Sequence, residues 1–198
     1  MIFIVDTFVS TFEYAYASVQ QNVHFLLTII GGLWVTQILN SVSGYRLNNL
    51  GIYPRRTDGL IGIFLAPFLH GSYQHLFVNA IPLFVLSAFV LVFGKIFFLK
   101  VTFFIIAMSG LVTWIFGRPG YHVGASSLIL GYWGFLLFNA YEMRSPMSFF
   151  LAFLCIYYFG GLIFSLFPQA ERVSWEGHLA GFLSGGLTSY LLFNNYIH

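Results

Sequence analysis

HLFVNAIPLFVLSAFVLVF, residues 75–93, runs for 19 positions without one charged side chain. The hydrocarbon core of a bilayer needs about 20 predominantly apolar residues of helix to cross it. Apolar residues fall on every side of this stretch, which describes a helix surrounded by apolar material on all faces. The segment therefore reads as a transmembrane helix. Its two strongly polar residues, His75 and Asn79, sit near its start, four residues apart and so on one helix face.

Working outward, the same pattern recurs. Eight Lys/Arg and six Asp/Glu are the only charges in 198 residues, and they cluster. Long uncharged gaps separate Glu13 from Arg46, Asp58 from Lys95, Lys100 from Arg118, Arg118 from Glu142 and Arg144 from Glu171, and nothing after Glu176 is charged. These six windows predict helices at about Val23–Ser43, His75–Phe93, Lys100–Phe116, Ser126–Tyr141, Met147–Phe167 and His178–Tyr196. Charged residues make up 7% of the chain and mean hydropathy is +0.84. A soluble domain carries about 25% charged residues, so soluble and disordered chains are both excluded. The expected fold is an all-α polytopic membrane protein with six transmembrane helices. Residues 23–198 form one membrane domain, and 1–22 a tail or interfacial segment. The N-terminus carries Asp6 and Glu13 and lacks the basic start and cleavage site of a signal peptide.

The net charge of +2 without a basic run argues against nucleic acid. A lone cysteine, Cys155, allows no internal disulfide and reads as packing. No nucleotide loop or Cys/His metal cluster is visible, so no cofactor and no metal is expected. His70 and His75, five apart, do not share a helix face and make a weak zinc pair. His122 and His198 read as loop and tail residues.

The linker Tyr45–Gln74 mixes Pro54, Arg55, Arg56 and Asp58 with the apolar run Leu60–Leu69, which is too short to span. A partly inserted segment is expected there. Spans two, four and six start on one face, with Arg46, Arg55, Arg56, Arg118 and Arg172; the other face carries Lys95, Lys100 and Arg144. A plain positive-inside count places the first face in the cytoplasm.

Polar groups inside spans are costly and commonly functional. His75, Asn79, Ser126 and His178 all fall near the start of a span that begins on that same face. A serine needs a neighbouring base to become a nucleophile, and acyl transfer needs donors for the developing oxyanion. Ser126 and His178 could form such a dyad, with His75, Asn79 and the backbone N–H of Ser126 as donors. No carboxylate falls within a window, and Glu176 is a weak candidate for orienting His178. Each residue alone has a structural reading as a packing serine or an interfacial histidine. Gly181 and Gly185 form a small-xxx-small pattern and read as helix packing.

At these residues the chain resembles the rhomboid family of intramembrane serine proteases. PRRTDGLIGIFLAPFLHGSYQHLFVNAIPL at 54–83 looks like that family's first external loop and second helix. GASS at 124–127 is similar to its Gly-x-Ser-Gly, and GHLAGFLSGG at 177–186 resembles its sixth-helix signature. The resemblance implies a six-helix bundle whose catalytic cavity opens to the non-cytoplasmic side. Ser126 would be the nucleophile and His178 the base, with His75, Asn79 and Ser126 N–H as the oxyanion hole. Single-pass transmembrane proteins would be the substrates, in the lipid bilayer of a cell membrane such as the bacterial inner membrane. The SWEG stretch before His178 would belong to a mobile cap. This orientation opposes the charge count.

Two positions depart from the pattern: Ser127 replaces the last glycine, and Leu130 replaces an aromatic that stacks on the histidine. Tyr132 or Trp133 is the alternative support for His178. Two other functions compete. One is a catalytically inactive relative that escorts client membrane proteins. The other is a haem or transport protein using intramembrane histidines, for which no internal repeat is seen.

Overall fold

The computed structural model describes residues 2–168 and 174–194. Arg172 of the charge count, Tyr196 at the expected end of the sixth span, and His198 lie outside the described residues. Among the described residues the fold is all-helical, with one isolated β-bridge between Ile52 and His122. The helices are α1 (Ile2–Val42), α2 (Gly62–Leu65), α3 (Tyr73–Leu91), α4 (Lys95–Phe116), α5 (Ser126–Met143), α6 (Pro146–Phe159) and α7 (Trp175–Asn194). Short 3-10 turns flank α2, and another (Gly160–Leu166) continues α6.

No helix boundary falls at Val23. α1 is continuous from Ile2, because neither glycine nor proline interrupts the chain before Gly31. Two contacts fix its level. Ser18 Oγ donates to Leu91 O (3.4 Å) at the end of α3, and Asn40 Nδ2 donates to His70 O (3.1 Å) just before its start. The part of α1 that flanks α3 thus runs from Ser18 to Asn40, and the residues before it continue past the end of α3. There Phe12 packs edge-on against Phe150 of α6, with ring centroids 6.4 Å apart.

Four segments are long and apolar enough to cross a membrane: Val9–Val42, Tyr73–Leu91, Lys95–Phe116 and Pro146–Leu166. α5 and α7, on the fourth and sixth windows, are not among them. The reason lies in packing. From Leu128 to Leu136 every side chain of α5 is buried. A helix enclosed by protein need not be as apolar as one facing lipid.

Close backbone approach holds α5 to α7. A Cβ on Gly181 would strike the carbonyl of Ser127, one on Gly185 the carbonyl of Gly131, and one on Gly134 the carbonyl of Phe182. Small residues on both helices therefore let the backbones touch. α6 is the opposite case: Phe149, Phe153, Ile156 and Tyr157 are exposed on its outer face. Its start is fixed by Pro146 at the first helical position and a capping box between Ser145 and Ser148.

The linker after α1 folds back onto the bundle. Ile63, Ala66 and Leu69 are buried, while Leu60, Ile61, Phe64 and Phe68 are exposed. This two-sided pattern is that of a segment inserted at the bundle edge. Gly62 lies so close to Gly51 that a Cβ would strike its backbone.

Candidate active site

Ser126 is the first residue of α5, at the end of a loop clamped from two sides. Ile52 and His122 exchange both backbone hydrogen bonds (3.1 and 2.8 Å), and Gly124 N–H donates to Ala66 O (2.9 Å). Ala125 N–H points to His70 Nε2 at 3.4 Å. That contact requires His70 to be neutral with Nε2 as acceptor. Burial pushes the His70 imidazole below its ordinary range, and neighbouring His75 pushes it the same way. The His70 and His75 rings meet edge-on at 5.1 Å. The helical-face argument against their proximity fails because His70 precedes α3 and is not on a helix.

Gly124 is where the loop meets α3. Its φ is +122°, a conformation open to glycine and costly for other residues. A Cβ there would lie 2.9 Å from His75 Nε2 and 3.5 Å from Asn79 Nδ2. The His75 ring thus occupies the space a side chain would need two residues before Ser126, with the Asn79 amide close by. Asn79 is buried, and its Nδ2 has no hydrogen-bond partner. Such a donor carries a desolvation cost that only a later acceptor relieves. Ser126 opens α5 without a capping side chain before it, since Ala125 occupies the N-cap. Its N–H is among those a helix start leaves unpaired.

His178 lies in the first turn of α7, half-buried. Its Nδ1 is 3.1 Å from the carbonyl of Ser165, in the 3-10 turn after α6. A carbonyl only accepts, so Nδ1 carries the proton and Nε2 keeps its lone pair. No carboxylate fills that role. Glu176 instead pairs with Arg118 (2.5 Å) across to the Ser126 loop. The two aromatics considered for supporting His178 are engaged elsewhere. Tyr132 Oη bonds Thr102 Oγ1 (2.6 Å), and Trp133 Nε1 donates to Cys155 O (3.3 Å). The backbone of Ser165 was invisible to sequence reasoning because any residue supplies a carbonyl.

SWEG is also different from expectation. Trp175, Glu176 and Gly177 are helix, and Ser174 caps them by accepting from Gly177 N–H (3.3 Å). The structure brings the starts of α5 and α7 together, through the Gly181–Ser127 contact one residue after Ser126 and three after His178. Ser126 Oγ makes no hydrogen bond to His178; Ser126 lines a narrow cavity with Ala66, Thr113, His122, Ser127 and Ser174 among others, and His75, Asn79 and His178 do not line it. Its ≈ 20 Å³ admits one water, which needs about 10–15 Å³.

Three arginines on this face, Arg55, Arg56 and Arg118, are paired within the fold. Arg55 Nη1 donates to Ile115 O (3.0 Å) and Gly117 O (2.9 Å), closing the end of α4. Arg56 pairs with Asp58 (2.6 Å). Arginines committed in this way say little about topology.

A model of the rhomboid domain family matches residues 57–195, which take in every residue of this site. The chain belongs to the rhomboid family and is a multi-pass membrane protein. It is 36% identical over 176 residues to uncharacterized protein Rv1337 of Mycobacterium tuberculosis, covering 84% of this chain and 73% of that one. With uncharacterized protein ML1171 of Mycobacterium leprae it is 34% identical, covering 84% and 70%.

Proposed function

We propose that this protein is an intramembrane serine endopeptidase that cleaves single-pass membrane proteins within or near their transmembrane segments. Ser126 Oγ attacks the scissile carbonyl while His178 Nε2 takes its proton. The Ser165 carbonyl holds the Nδ1 proton and so keeps the imidazole in the tautomer that acts as a base. His75 Nε2–H, Asn79 Nδ2 and Ser126 N–H receive the developing oxyanion. His178 then returns the proton to the leaving amine, and a water resolves the acyl-enzyme by the same route in reverse. The site opens on the non-cytoplasmic side of a cell membrane, the bacterial inner membrane by family likeness.

One observation supports this reading most: an unpartnered buried amide, Asn79 Nδ2, held beside His75 near Gly124, two residues before a serine that opens a helix. Gln37 Nε2 and Asn139 Nδ2 are buried without a partner too, so it is the place of Asn79, beside His75 and the Ser126 loop, that favours catalysis over escort. Purified protein in liposomes with a fluorescent single-pass reporter tests the proposal. Cleavage by the wild type, abolished in both Ser126→Ala and His178→Ala, is the expected result. An intact reporter with every variant, wild type included, would leave the escort reading standing.

A further inference from the structure

His122 and Ser174 lie 52 residues apart in sequence, yet their side chains meet at 2.6 Å (Nδ1 to Oγ). In the neutral ring the roles in this contact are fixed. His122 Nε2 is 2.8 Å from Arg118 O, and a carbonyl only accepts, so Nε2 carries the proton. Nδ1 is therefore the acceptor, and the Ser174 hydroxyl donates. The same oxygen accepts from Gly177 N–H as the cap of α7, while Ser174 O accepts from His178 N–H (3.1 Å). His122 stands four residues before Ser126, and Ser174 four before His178. The backbone of His122 is in turn bonded both ways to Ile52. The His122 imidazole thus joins the linker, the Ser126 loop and the first turn of α7.

We propose that His122 and Ser174 are a positioning pair, which sets the separation of Ser126 and His178 by tying the loop that ends in one to the helix start that carries the other. The proposal rests on the reading of Ser126 and His178 as nucleophile and base. No hydrogen bond joins those two side chains here, so their separation depends on how the two helix starts are held. The Gly181–Ser127 contact fixes the helices below the site; the His122–Ser174 bond fixes the chain above it. A misplacement of about 1 Å between reacting groups can cost about a hundredfold in rate. Loss of the pair falls on kcat and leaves KM unchanged, because neither side chain is assigned a role in binding substrate.

The test uses full-length protein in liposomes, with reporter cleavage and the rate of Ser126 labelling by a fluorophosphonate measured for each variant. H122F keeps the ring and loses both bonds; kcat and the labelling rate fall together by about tenfold, with KM within about twofold. H122N offers an amide oxygen in place of Nδ1 and recovers most of that loss. S174G nearly keeps the cap of α7 but has no side chain to bond His122, and falls with H122F. The double variant is no worse than either single one, as expected of two groups acting as a unit. The proposal is overturned if H122F stays within about twofold of wild type, if H122N is no better than H122F, or if the two losses multiply. Should H122F fold poorly, S174G against S174T decides alone: equal rates for these two overturn it. A wild type that neither cleaves nor labels refutes the parent reading instead, whereas an active wild type with an inert S126A and a fully active H122F refutes only the pair.

Discussion

α6 with its 3-10 extension and α7 have similar lengths and opposite characters. α6 with its 3-10 extension is apolar enough to be picked out as a membrane span, and exposes Phe149, Phe153, Ile156 and Tyr157. α7 is not picked out; it buries Ser184, Thr188 and Ser189 and spends Gly181 and Gly185 on backbone contact. Hydropathy measures what faces lipid. The helices that carry Ser126 and His178 are sheltered by their neighbours, so they can hold glycine and polar groups that an outer helix would leave in hydrocarbon. Yet the outer element is not inert, since its 3-10 turn supplies the carbonyl that orients His178.

The sharpest way to break this contrast is through Asn79. Asn79→Ala removes the proposed oxyanion donor, whose Nδ2 bonds nothing in the resting fold. A loss of kcat by about 10²–10³ is expected, with thermal stability within about 1 kcal/mol of wild type. Reporter cleavage alongside a melting curve reads both; equal losses in each would make Asn79 a packing residue.

Glycine substitutions sharpen the contrast next. Gly181→Ala drives a methyl into the carbonyl of Ser127 and is expected to cost about 3 kcal/mol. Gly31→Ala on α1 meets nothing within 4 Å and is expected to be neutral or stabilising, by about 0.5 kcal/mol. Unfolding in graded denaturing detergent compares them, and similar effects would mean that the α5–α7 contact is looser than described. The smallest effect is expected on the lipid face, where Ile156→Ala should move stability by less than about 0.5 kcal/mol and leave cleavage unchanged.

Orientation is a separate test. α7 starts at the face of the proposed site, so its C-terminal end is expected on the opposite one. A reporter fused there should report the cytoplasm, and a signal from outside would reverse the topology proposed here.

Much of this was legible in the sequence, for reasons that differ by residue. Uncharged windows located the helices, and Gly-x-Ser, His-x3-Asn and the α7 glycines drew attention because polar or small residues are rare in such windows. The length of α1 was hidden: Asp6 and Glu13 suggested a tail, while helix propensity ignores membrane boundaries. The support of His178 was hidden too, because a backbone carbonyl leaves no trace in composition. Glu176 sat close in sequence but was drawn off by Arg118, and His122 looked like a loop residue until folding brought Ser174 to it.

The central claim is that Ser126 is a nucleophile activated by His178. Labelling purified wild-type protein with a fluorophosphonate, and locating the adduct by mass spectrometry, tests it most directly. The account predicts an adduct on Ser126, none in Ser126→Ala, and a labelling rate in His178→Ala lower by about 10³ or more. An adduct on Ser127, or labelling of Ser126 that is indifferent to His178, would contradict it.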